Sequence, residues 1–426
     1  MNNMNIVQEL KDRGIIKHII NDNVLQEKIK HEFISLYCGF DPTSDSLHLG
    51  HLALLVCLKY FQLAGHKIIV VIGGATSVIG DPSFKSQKRK LQDLEKIKLY
   101  IKKLKSQISK FLNSDWGNNI IILNNFSWFK KINLIKFLKC IGKHFSIKNM
   151  ISKYFIKLRL NNDFGITFTE FSYTLLQGYD FLHLSKHYNV VLQIGGSDQW
   201  NNIISGINLI KNIHHKLVTG FTLPLILKSD GTKYSKTGCG VIWLDPKKTS
   251  PYKFYQFLIN INDSYIYNYL KLFTLINLKT ILFLERRNIK INNVPLAKYI
   301  LAKYATLMVH GSSGFSSAKR ITNSLFKQNN KINLLTIKDF KQLSQDGIPS
   351  INISNKQINL QQVLILANLA KSYKEARIMI KSNSIKINNV KNNIPNYVFV
   401  KKDKLYNNYT LICRGRKNFC LLIWNK

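Results

Sequence analysis

The sequence predicts an α/β protein: a parallel sheet with helices on both faces, then a helical region and a small α+β unit. Between residue 33 and about residue 225, short apolar runs alternate with longer helical patterns, and each run ends in glycine or a polar turn. The runs are Phe33–Gly39, Ile68–Gly73, Ile120–Leu123 and Val190–Gly195. Parallel sheets of this kind bind ligands at the carboxyl ends of their strands.

After the sheet the pattern becomes helical, as in Pro251–Ile259 and Leu296–His310. A polar stretch then ends in Gly347, Ile348 and Pro349, which is typical of a connector. A helix pair within Leu360–Lys381 and two short strands, Ser384–Ile387 and Phe419–Trp424, follow it. The predicted domains are therefore a Rossmann-like sheet domain (1–247), a helical domain (248–325), a linker (326–355) and a small α+β domain (356–426).

Length and composition fit a globular protein, because 426 residues with 45% hydrophobic side chains can build two or three domains. The apolar runs are too short to cross a bilayer, and the N-terminus lacks the basic start and apolar core of an export signal. We expect a cytoplasmic protein without a membrane partner. Six cysteines without C-x-x-C spacing indicate reduced thiols and no metal site.

The net charge is strongly positive, with 62 Lys and Arg against 23 Asp and Glu, a formal +39. Such an excess favours a polyanionic partner such as nucleic acid. The chain is also crowded with Lys, Asn and Ile, whose codons are AT-rich, so codon bias is an alternative source of the charge. The charge supports a nucleic-acid partner without identifying one.

The first segment with chemical content is YCGFDPTSDSLHLGH, from Tyr37 to His51. A strand ends near Gly39 and a helix is predicted to begin close to His48, where free backbone N–H groups suit a phosphate. His48 and His51 share one helix face, and Gly50 between them lets a nucleotide approach the backbone. The strand and the D-P-T turn before them favour a phosphate site over two ordinary surface histidines.

The second segment is GTKYSKTG, from Gly231 to Gly238. Lys233 and Lys236 lie among small and polar residues, and lysine ammonium groups can follow a phosphate as it leaves. In so basic a protein this segment alone favours a solvated surface loop, so its value depends on its pairing with the histidine motif.

The third segment runs from Phe171 to Phe181, where Tyr173, Gln177 and Asp180 fall on one face of a predicted helix. The apolar residues beside them favour the wall of a polar pocket over a solvent-exposed stripe.

The fourth segment is LQIGGSDQW, from Leu192 to Trp200. A strand runs into a glycine turn followed by Asp198, which suits a ribose. The turns at Gly73-Gly74 and Gly80-Asp81-Pro82 also follow a strand and are ambiguous alone.

Together these segments resemble the class I aminoacyl-tRNA synthetases, and specifically the bacterial tyrosyl branch, over nearly the whole chain. The resemblance implies two-step chemistry: ATP and L-tyrosine form tyrosyl-adenylate with release of pyrophosphate, and the tyrosyl group then passes to tRNA(Tyr). It also implies a homodimer whose interface lies around Phe137–Ile151, and Mg²⁺ carried by the nucleotide.

The resemblance further implies residue roles. In the tyrosine pocket, the phenolic hydroxyl would be held by Tyr37 and Asp180, and the ammonium by Asp81, Tyr173 and Gln177. The carboxylate would lie near Gln199, and Asp41 would line the pocket. The implied ATP-binding residues are Gly39, Thr43, His48, Gly50, His51, Gly196, Asp198, Lys233 and Lys236. The implied catalytic residues are His48, His51, Lys233, Lys236, Thr237 and Thr43. Lys85 and Arg89 would assist with pyrophosphate.

The chain departs from the family pattern at Tyr234, where the lysine loop usually has Met, and at Leu49, where Ile is usual. Because both lysines remain, we expect altered loop packing rather than lost function.

The C-terminal unit resembles the alpha-L RNA-binding motif, in which Lys371, Lys374 and Arg377 would face RNA phosphates. Asn383-Ser384 replaces the glycine-rich turn usual there. A basic helical cap without RNA contacts is the alternative.

Three other functions stay open at this point. Tryptophanyl-tRNA synthetase shares the fold, although Tyr37 and Asp180 favour a phenol over an indole. A small-molecule nucleotidyltransferase also uses H-x-G-H, although the lysine loop and the C-terminal unit count against it. A degenerate RNA-binding paralogue would have lost catalytic positions, and none is lost here.

Overall fold

The structure is a computed structural model that describes residues 6–83, 93–112, 120–161, 165–226, 240–291, 294–326, 332–354, 357–415 and 417–425. The chain divides into two compact units. Unit 1 comprises Met1–Leu244 and Ser264–Asn293, and unit 2 comprises Asp245–Asp263 and Val294–Lys426. Within the described residues, none of the helices has the length and apolarity required to span a membrane.

The strands of both units are, in chain order, β1 (His18–Ile20), β2 (Ser35–Phe40), β3 (Lys67–Ile72), β4 (Ile120–Asn124), β5 (Val190–Gly196), β6 (Thr219–Leu223), β7 (Ser350–Ile353), β8 (Ile385–Ile387), β9 (Val390–Lys391), β10 (Tyr409–Arg414) and β11 (Asn418–Trp424).

The helices are α1 (Ile6–Asp12), α2 (Asp22–His31), α3 (Leu49–Leu63), α4 (Thr76–Ile79), α5 (Leu94–Leu112), α6 (Phe126–Phe129), α7 (Leu134–Cys140), α8 (Ile147–Ile151), α9 (Tyr154–Leu160), α10 (Phe168–Tyr188), α11 (Trp200–His214), α12 (Pro251–Ile259), α13 (Ile266–Phe273), α14 (Leu278–Ile291), α15 (Val294–Phe326), α16 (Ile337–Gln342), α17 (Leu360–Leu366) and α18 (Tyr373–Lys381).

The sheet of unit 1 has the strand order β1-β6-β5-β2-β3-β4. Strands β2 to β6 are parallel, and β1 joins the edge antiparallel to β6. The chain therefore extends the sheet on one side of β2 through β3 and β4, and on the other side through β5 and β6. This reversal creates a switch point between β2 and β5, which is where ligands bind in such sheets. The predicted parallel sheet and its four strands are confirmed, with slightly different strand ends.

Burial explains why these segments form strands. The sequence of β3 is KIIVVI, and every residue after Lys67 is buried, as expected for a parallel strand covered on both faces. Helix α3 covers one face and is itself almost wholly apolar. Helix α13 packs on α3, and the hydroxyl of Tyr60 donates to the carbonyl of Thr274 at 3.1 Å. Residues 264–293 therefore belong to unit 1, whereas the sequence assigned them to a helical domain at 248–325.

Unit 2 begins with α12, which starts at Pro251 after a Ser250 cap whose Oγ accepts from the N–H of Lys253 at 3.1 Å. Helix α12 packs on the long α15. Gly311, at φ 71°, interrupts α15, and the predicted helix Leu296–His310 ends at this break. Glycine is suited to such a break because it has no Cβ to strain at positive φ.

The sheet of unit 2 has the order β7-β11-β10-β8-β9, with β7 parallel to β11. Because β7 falls within 326–355, part of the predicted linker is paired into this sheet. Helices α17 and α18 confirm the predicted helix pair and share a buried core with the strands, including Val363, Leu364, Ala376, Ile380, Ile412 and Leu422. Asn383 adopts φ 56° after α18, so asparagine supplies the left-handed conformation that glycine would otherwise provide.

Candidate active site

A buried carboxylate is held by two side chains that follow β4. Asp180, on α10, is 4% exposed. Trp128 Nε1 donates to its Oδ1 at 2.8 Å and Asn125 Nδ2 donates to its Oδ2 at 3.0 Å. Burial raises the pKa of Asp180 to about 7, although both hydrogen bonds oppose the rise. The pocket thus holds an acceptor that is fixed in orientation before any ligand arrives.

Tyr37, on β2, presents a hydroxyl next to this carboxylate. The side chain is 2% exposed, its ring packs against Phe181 with centroids 5.3 Å apart, and its hydroxyl has no hydrogen-bond partner in the structure. Burial, then the nearby charge of Asp180, raises the pKa of Tyr37 well above its usual value. Because an unpaired buried hydroxyl costs stability, a ligand hydroxyl at this position would supply the partner that the fold does not.

The carboxylate of Asp41 is oriented by two hydroxyl donors. Tyr173 Oη donates to its Oδ2 and Thr76 Oγ1 to its Oδ1, each at 2.7 Å. Asn125 Nδ2 also contacts Thr76 Oγ1 at 3.1 Å, so one network joins Asp41 to Asp180. A Cβ at Gly73 would lie 1.9 Å from Asp41 Oδ1, so only glycine at the end of β3 leaves room for this carboxylate.

Asp81 and Gln199 form a second hydrogen-bonded group of predicted pocket residues. Gln199 Nε2 donates to Asp81 Oδ2 at 2.7 Å, and the N–H of Ser83 donates to Oδ1 at 2.9 Å. Asn202 Nδ2 in turn donates to Gln199 Oε1 at 3.3 Å. Gln177 Oε1 is buried without a hydrogen-bond partner. The structure therefore links six of the seven residues of the predicted tyrosine pocket and places the seventh, Gln177, on α10 between Tyr173 and Asp180; the seven are called the amino-acid pocket below.

Sequence reasoning missed three residues of the network that joins Asp41 to Asp180, Thr76, Asn125 and Trp128, as well as Asn202 beside Gln199. A signal existed for Asn125 and Trp128, because they lie one and four residues after β4, at the sheet edge where parallel strands bind ligands. Thr76, on α4, carried no pattern of its own.

The two histidines stand where α3 begins. His48 is the N-cap, and its Nδ1 accepts from the N–H of Gly50 at 3.1 Å. The Nδ1 of His51 accepts from the N–H of His48 at 3.2 Å, and the two rings stack with centroids 3.9 Å apart. A Cβ at Gly50 would lie 2.9 Å from the His48 ring. Glycine between the histidines is therefore required for this stack, in addition to the close nucleotide approach inferred from sequence.

These hydrogen bonds fix the state of both imidazoles. A ring whose Nδ1 accepts carries its proton on Nε2, so each Nε2–H remains available as a donor. Burial lowers the pKa of His48 to about 4 and the pKa of His51 well below its usual value, with His48 also lowering the latter. The two rings, called the imidazole pair below, are thus neutral donors at neutral pH.

The segment that follows the lysine motif is hydrogen-bonded to the backbone on either side of His48. The N–H of Leu49 donates to the carbonyl of Ile242, and the N–H of Leu244 to the carbonyl of Leu47, each at 2.8 Å. Lys233, Lys236, Thr237 and Tyr234, as well as Lys85 and Arg89, lie outside the described residues.

The other predicted nucleotide contacts lie on the same sheet edge. Gly39 lies near the end of β2 and is exposed. Thr43 follows the strand and is exposed as well. Gly196 ends β5, and a Cβ there would lie 2.7 Å from Asp198 Oδ1. Within the described part of the chain, no group of three His, Cys, Asp or Glu side chains could hold a metal ion.

The predicted RNA-contacting residues belong to unit 2. Lys371 precedes α18, and Lys374 and Arg377 lie on it; all three are exposed. Ser372 caps the helix, and Glu375 Oε2 accepts from the N–H of Lys371 at 2.6 Å. The cations therefore stand on a well-capped helix.

Comparison with known proteins gives consistent matches along the chain. A family model described as tRNA synthetases class I (W and Y) matches residues 29–327, and one described as the tyrosine–tRNA ligase SYY-like C-terminal domain matches residues 339–422. The tyrosine–tRNA ligase of Yersinia enterocolitica is 50% identical over 426 residues, covering 100% of both chains.

Two solved structures are similar as well. A C-terminally truncated mitochondrial tyrosyl-tRNA synthetase from Aspergillus nidulans has a TM-score of 0.69 at 26% identity, covering 76% of this chain and 94% of that one. Its counterpart from Coccidioides posadasii has a TM-score of 0.65 at 26% identity, covering 74% and 91%.

Proposed function

The chain belongs to the tyrosyl-tRNA synthetases of class I, and from that membership we propose that it activates L-tyrosine with ATP and transfers the tyrosyl group to tRNA(Tyr). One observation supports this function above the others. Asp180 is a buried, oriented acceptor beside the unpaired hydroxyl of Tyr37, a combination that suits a phenol. The first family model covers both the tryptophanyl and tyrosyl branches, while the C-terminal match and the full-length relative favour the tyrosyl one.

Recognition of tyrosine follows from the groups that the pocket leaves unsatisfied. The substrate hydroxyl would donate to Asp180 and accept from Tyr37, which completes both sets of hydrogen bonds. Phenylalanine would leave these buried polar groups unpaired and so would bind poorly, and tyrosyl-tRNA synthetases are the usual example of such rejection. At the other end, Asp81, Tyr173 and Gln177 would bind the ammonium, Asp41 would lie close to the reacting groups, and Gln199 would lie near the carboxylate.

The nucleotide would occupy the edge between β2 and β5. Gly196 and Asp198 would contact its ribose, and Gly39 and Gly50 would allow close approach of the nucleotide to the backbone. Thr43, His48 and His51 would contact the phosphates, where the imidazole pair donates through Nε2–H without adding a charge. Lys233 and Lys236, with Thr237, would follow the departing pyrophosphate.

In the first step a tyrosine carboxylate oxygen attacks the α-phosphorus of ATP. The bond from that phosphorus to the bridging oxygen breaks, and pyrophosphate leaves with the bonding electrons. In the second step a ribose hydroxyl at the tRNA terminus attacks the adenylate carbonyl, AMP leaves, and the hydroxyl proton is released. Because the attacking carboxylate is already ionised, catalysis consists of positioning and stabilisation of phosphate charge.

Mg²⁺ enters this proposal as part of the substrate, bound to the ATP phosphates. The described residues offer no cluster of metal-binding side chains, so no protein ligand is assigned to it. With ATP and tRNA as substrates, the enzyme would act in the cytoplasm, the compartment of protein synthesis.

A homodimer is proposed from an exposed apolar surface. Residues 134–168 carry a concentration of exposed large apolar side chains, on α7, α8, α9 and the start of α10: Leu134, Ile135, Leu138, Ile147, Ile151, Tyr154, Leu158, Leu160 and Phe168. Such surfaces mark protein interfaces. Sedimentation should show a dimer, and Ile135→Asp with Ile147→Asp should shift it to monomer, whereas the exposed Leu334→Asp should not. A monomeric wild type would contradict the proposal.

The C-terminal domain at 356–426 would bind tRNA through Lys371, Lys374 and Arg377. Contacts of this kind position RNA without reading its bases, and the exposed position of all three supports them. Replacing each by Gln should weaken tRNA binding and flatten its salt dependence while leaving adenylate formation unchanged.

The deciding experiment is ATP–pyrophosphate exchange with the full chain and each of the twenty amino acids. Tyrosine alone should support exchange at full rate. Exchange driven by tryptophan would favour the tryptophanyl branch, and no exchange with any amino acid would overturn the enzymatic function.

A further inference from the structure

The turn that leads into the imidazole pair is held by helix α5 of the same unit. Gln107, on α5, accepts with its Oε1 from the N–H of Leu47 at 3.0 Å and from the Oγ of Ser46 at 3.3 Å. Lys103 lies one helical turn earlier on the same face of α5, and its Nζ donates to Asp45 Oδ2 at 2.9 Å. Two side chains of one helix therefore bind three consecutive residues of the turn.

The contacts of Gln107 lie in the protein interior. Leu47 and Ser46 are each 1% exposed, so the N–H of Leu47 is shielded from water. A buried backbone N–H needs an acceptor, because leaving it unpaired costs free energy comparable to a lost hydrogen bond. Without the Gln107 carbonyl, the turn would have to shift to satisfy this N–H in another way.

Helix α5 is itself fixed to α3, the helix that the turn begins. Its buried face includes Leu104 and Ile108. At its end, the carbonyl of Leu112 accepts from Lys59 Nζ at 3.3 Å and from Gln62 Nε2 at 2.8 Å, and both donors lie near the end of α3. Because α5 is anchored to α3 in this way, Gln107 holds the turn in place relative to α3.

The turn contains the peptide group that orients His51. The carbonyl of Leu47 accepts from the N–H of Leu244 at 2.8 Å. The N–H of the same peptide group, which belongs to His48, donates to His51 Nδ1 at 3.2 Å. Since a peptide group is planar, holding Leu47 by its N–H and by its carbonyl also fixes the direction of the His48 N–H.

The two imidazoles differ in what orients them. The Nδ1 of His48 accepts from the N–H of Gly50, which lies within α3. The Nδ1 of His51 depends on the peptide group just before α3, and this peptide group depends on Gln107. The direction of the His51 Nε2–H is therefore set from outside the helix that carries it.

We propose, resting on the function proposed above, that Gln107 is a positioning residue for the formation of tyrosyl-adenylate. By fixing the peptide group that binds His51 Nδ1, it keeps His51 Nε2–H directed at the phosphates of ATP. Donors that are oriented before the reaction stabilise developing phosphate charge more than donors that must reorient.

The first test replaces the acceptor in the full-length protein. Gln107→Met keeps the length of the side chain and removes its carbonyl oxygen. The kcat of tyrosine-dependent ATP–pyrophosphate exchange should fall about tenfold, which corresponds to one misdirected neutral hydrogen bond in the transition state. The KM for ATP should change little, because the interaction is made chiefly in the transition state. Tyrosine Kd, measured by equilibrium dialysis, should be unchanged.

Two further variants serve as controls. Ser106→Met makes a similar change at an exposed position of the same helix and should keep wild-type kinetics. Gln107→Glu retains an oxygen acceptor at position 107 and should stay within about threefold of the wild-type rate. Thermal unfolding shows whether each variant is folded at the assay temperature.

A double-mutant cycle separates positioning of His51 from general support of the turn. In the His51→Ala background, Gln107→Met should cost less than about twofold, because the ring that Gln107 positions is gone. A side chain that only stabilised the turn would cost about tenfold in both backgrounds.

Three outcomes would overturn the proposal: exchange at the wild-type rate in Gln107→Met, a Gln107→Glu variant as slow as Gln107→Met, or an equal cost of Gln107→Met with and without His51. Failure of the proposed function would look different, since the wild-type protein would then show no tyrosine-dependent exchange.

Discussion

The amino-acid pocket and the imidazole pair lie on the same sheet edge, but they are built on opposite principles. The pocket is a network in which Asp41 and Asp180 are oriented by four donors, and in which Tyr37 and Gln177 retain unpaired polar atoms. In the imidazole pair each Nδ1 is instead satisfied by backbone at the start of α3, which leaves the proton of each neutral ring on Nε2.

The difference indicates how each region contributes to the reaction. A buried polar group without a partner makes a site selective between ligands. A ligand that cannot hydrogen-bond to the group leaves the free-energy cost of the unpaired group uncompensated. A neutral imidazole whose Nδ1 is already hydrogen-bonded to the backbone distinguishes little between ligands. Its Nε2–H nevertheless stabilises charge that develops on phosphate. The pocket should therefore set selectivity, and the imidazole pair should set rate.

The largest effect should come from removing the oriented carboxylate. Asp180→Ala leaves Trp128 Nε1 and Asn125 Nδ2 without acceptors and removes the acceptor for the phenol. With hydrogen bonds to charged groups worth about 1.5–3 kcal/mol each, kcat/KM for tyrosine should fall about a thousandfold. Steady-state exchange kinetics measure this, and thermal unfolding checks the fold. Asp180→Asn, which keeps the volume, should also lose most activity; a variant within threefold of wild type would contradict the role.

Breaking the imidazole pair should reduce rate without touching selectivity. His48→Asn keeps a good N-cap but loses the Nε2 donor, while His48→Ala loses both. Both should slow exchange by about tenfold to a hundredfold, and only the Ala variant should lose about 1 kcal/mol of stability. Tyrosine Kd, measured by equilibrium dialysis, should be unchanged in both. If exchange proceeded at wild-type speed, the phosphate contact would be wrong.

The two regions should also differ in pH dependence. Because the pKa of Asp180 is raised to about 7, its carboxyl gains a proton as pH falls and becomes a poorer acceptor for the phenol. Tyrosine Kd should rise about tenfold between about pH 8 and about pH 6. Asp180→Asn should show no such rise. His48, with a pKa of about 4, stays neutral over this range, so a matching change in ATP affinity would show that the two regions do not titrate separately.

The smallest effect should come from the unpaired hydroxyl. Tyr37→Phe removes a buried group that has no partner in the free protein, so stability should stay the same or rise by up to about 1 kcal/mol. Discrimination between tyrosine and phenylalanine should fall about fivefold, since a neutral hydrogen bond is worth about 1 kcal/mol. Competition kinetics measure the change in discrimination, and thermal unfolding measures the change in stability. A destabilised variant with unchanged selectivity would show that the hydroxyl serves the fold.

Much of this architecture could be predicted from periodicity alone. The runs at Ile68–Gly73 and Val190–Gly195 predict buried parallel strands because such strands are apolar on both faces. His48 is predicted at a helix start by the polar turn before it. The roles of Asn125 and Trp128 were not predicted, because they depend on hydrogen bonds to Asp180. That residue lies 55 positions from Asn125 and 52 from Trp128 along the chain.

The sequence by itself determined the kinds of chemistry present: a strand-end glycine, paired histidines, and a helix face with Tyr173, Gln177 and Asp180. Local patterns report these because they depend on residues a few positions apart. Only the tertiary structure decided which polar atoms find partners, which remain unpaired, and which imidazole nitrogen accepts a backbone hydrogen bond. Those outcomes depend on contacts between residues distant in sequence, and periodicity carries no information about them.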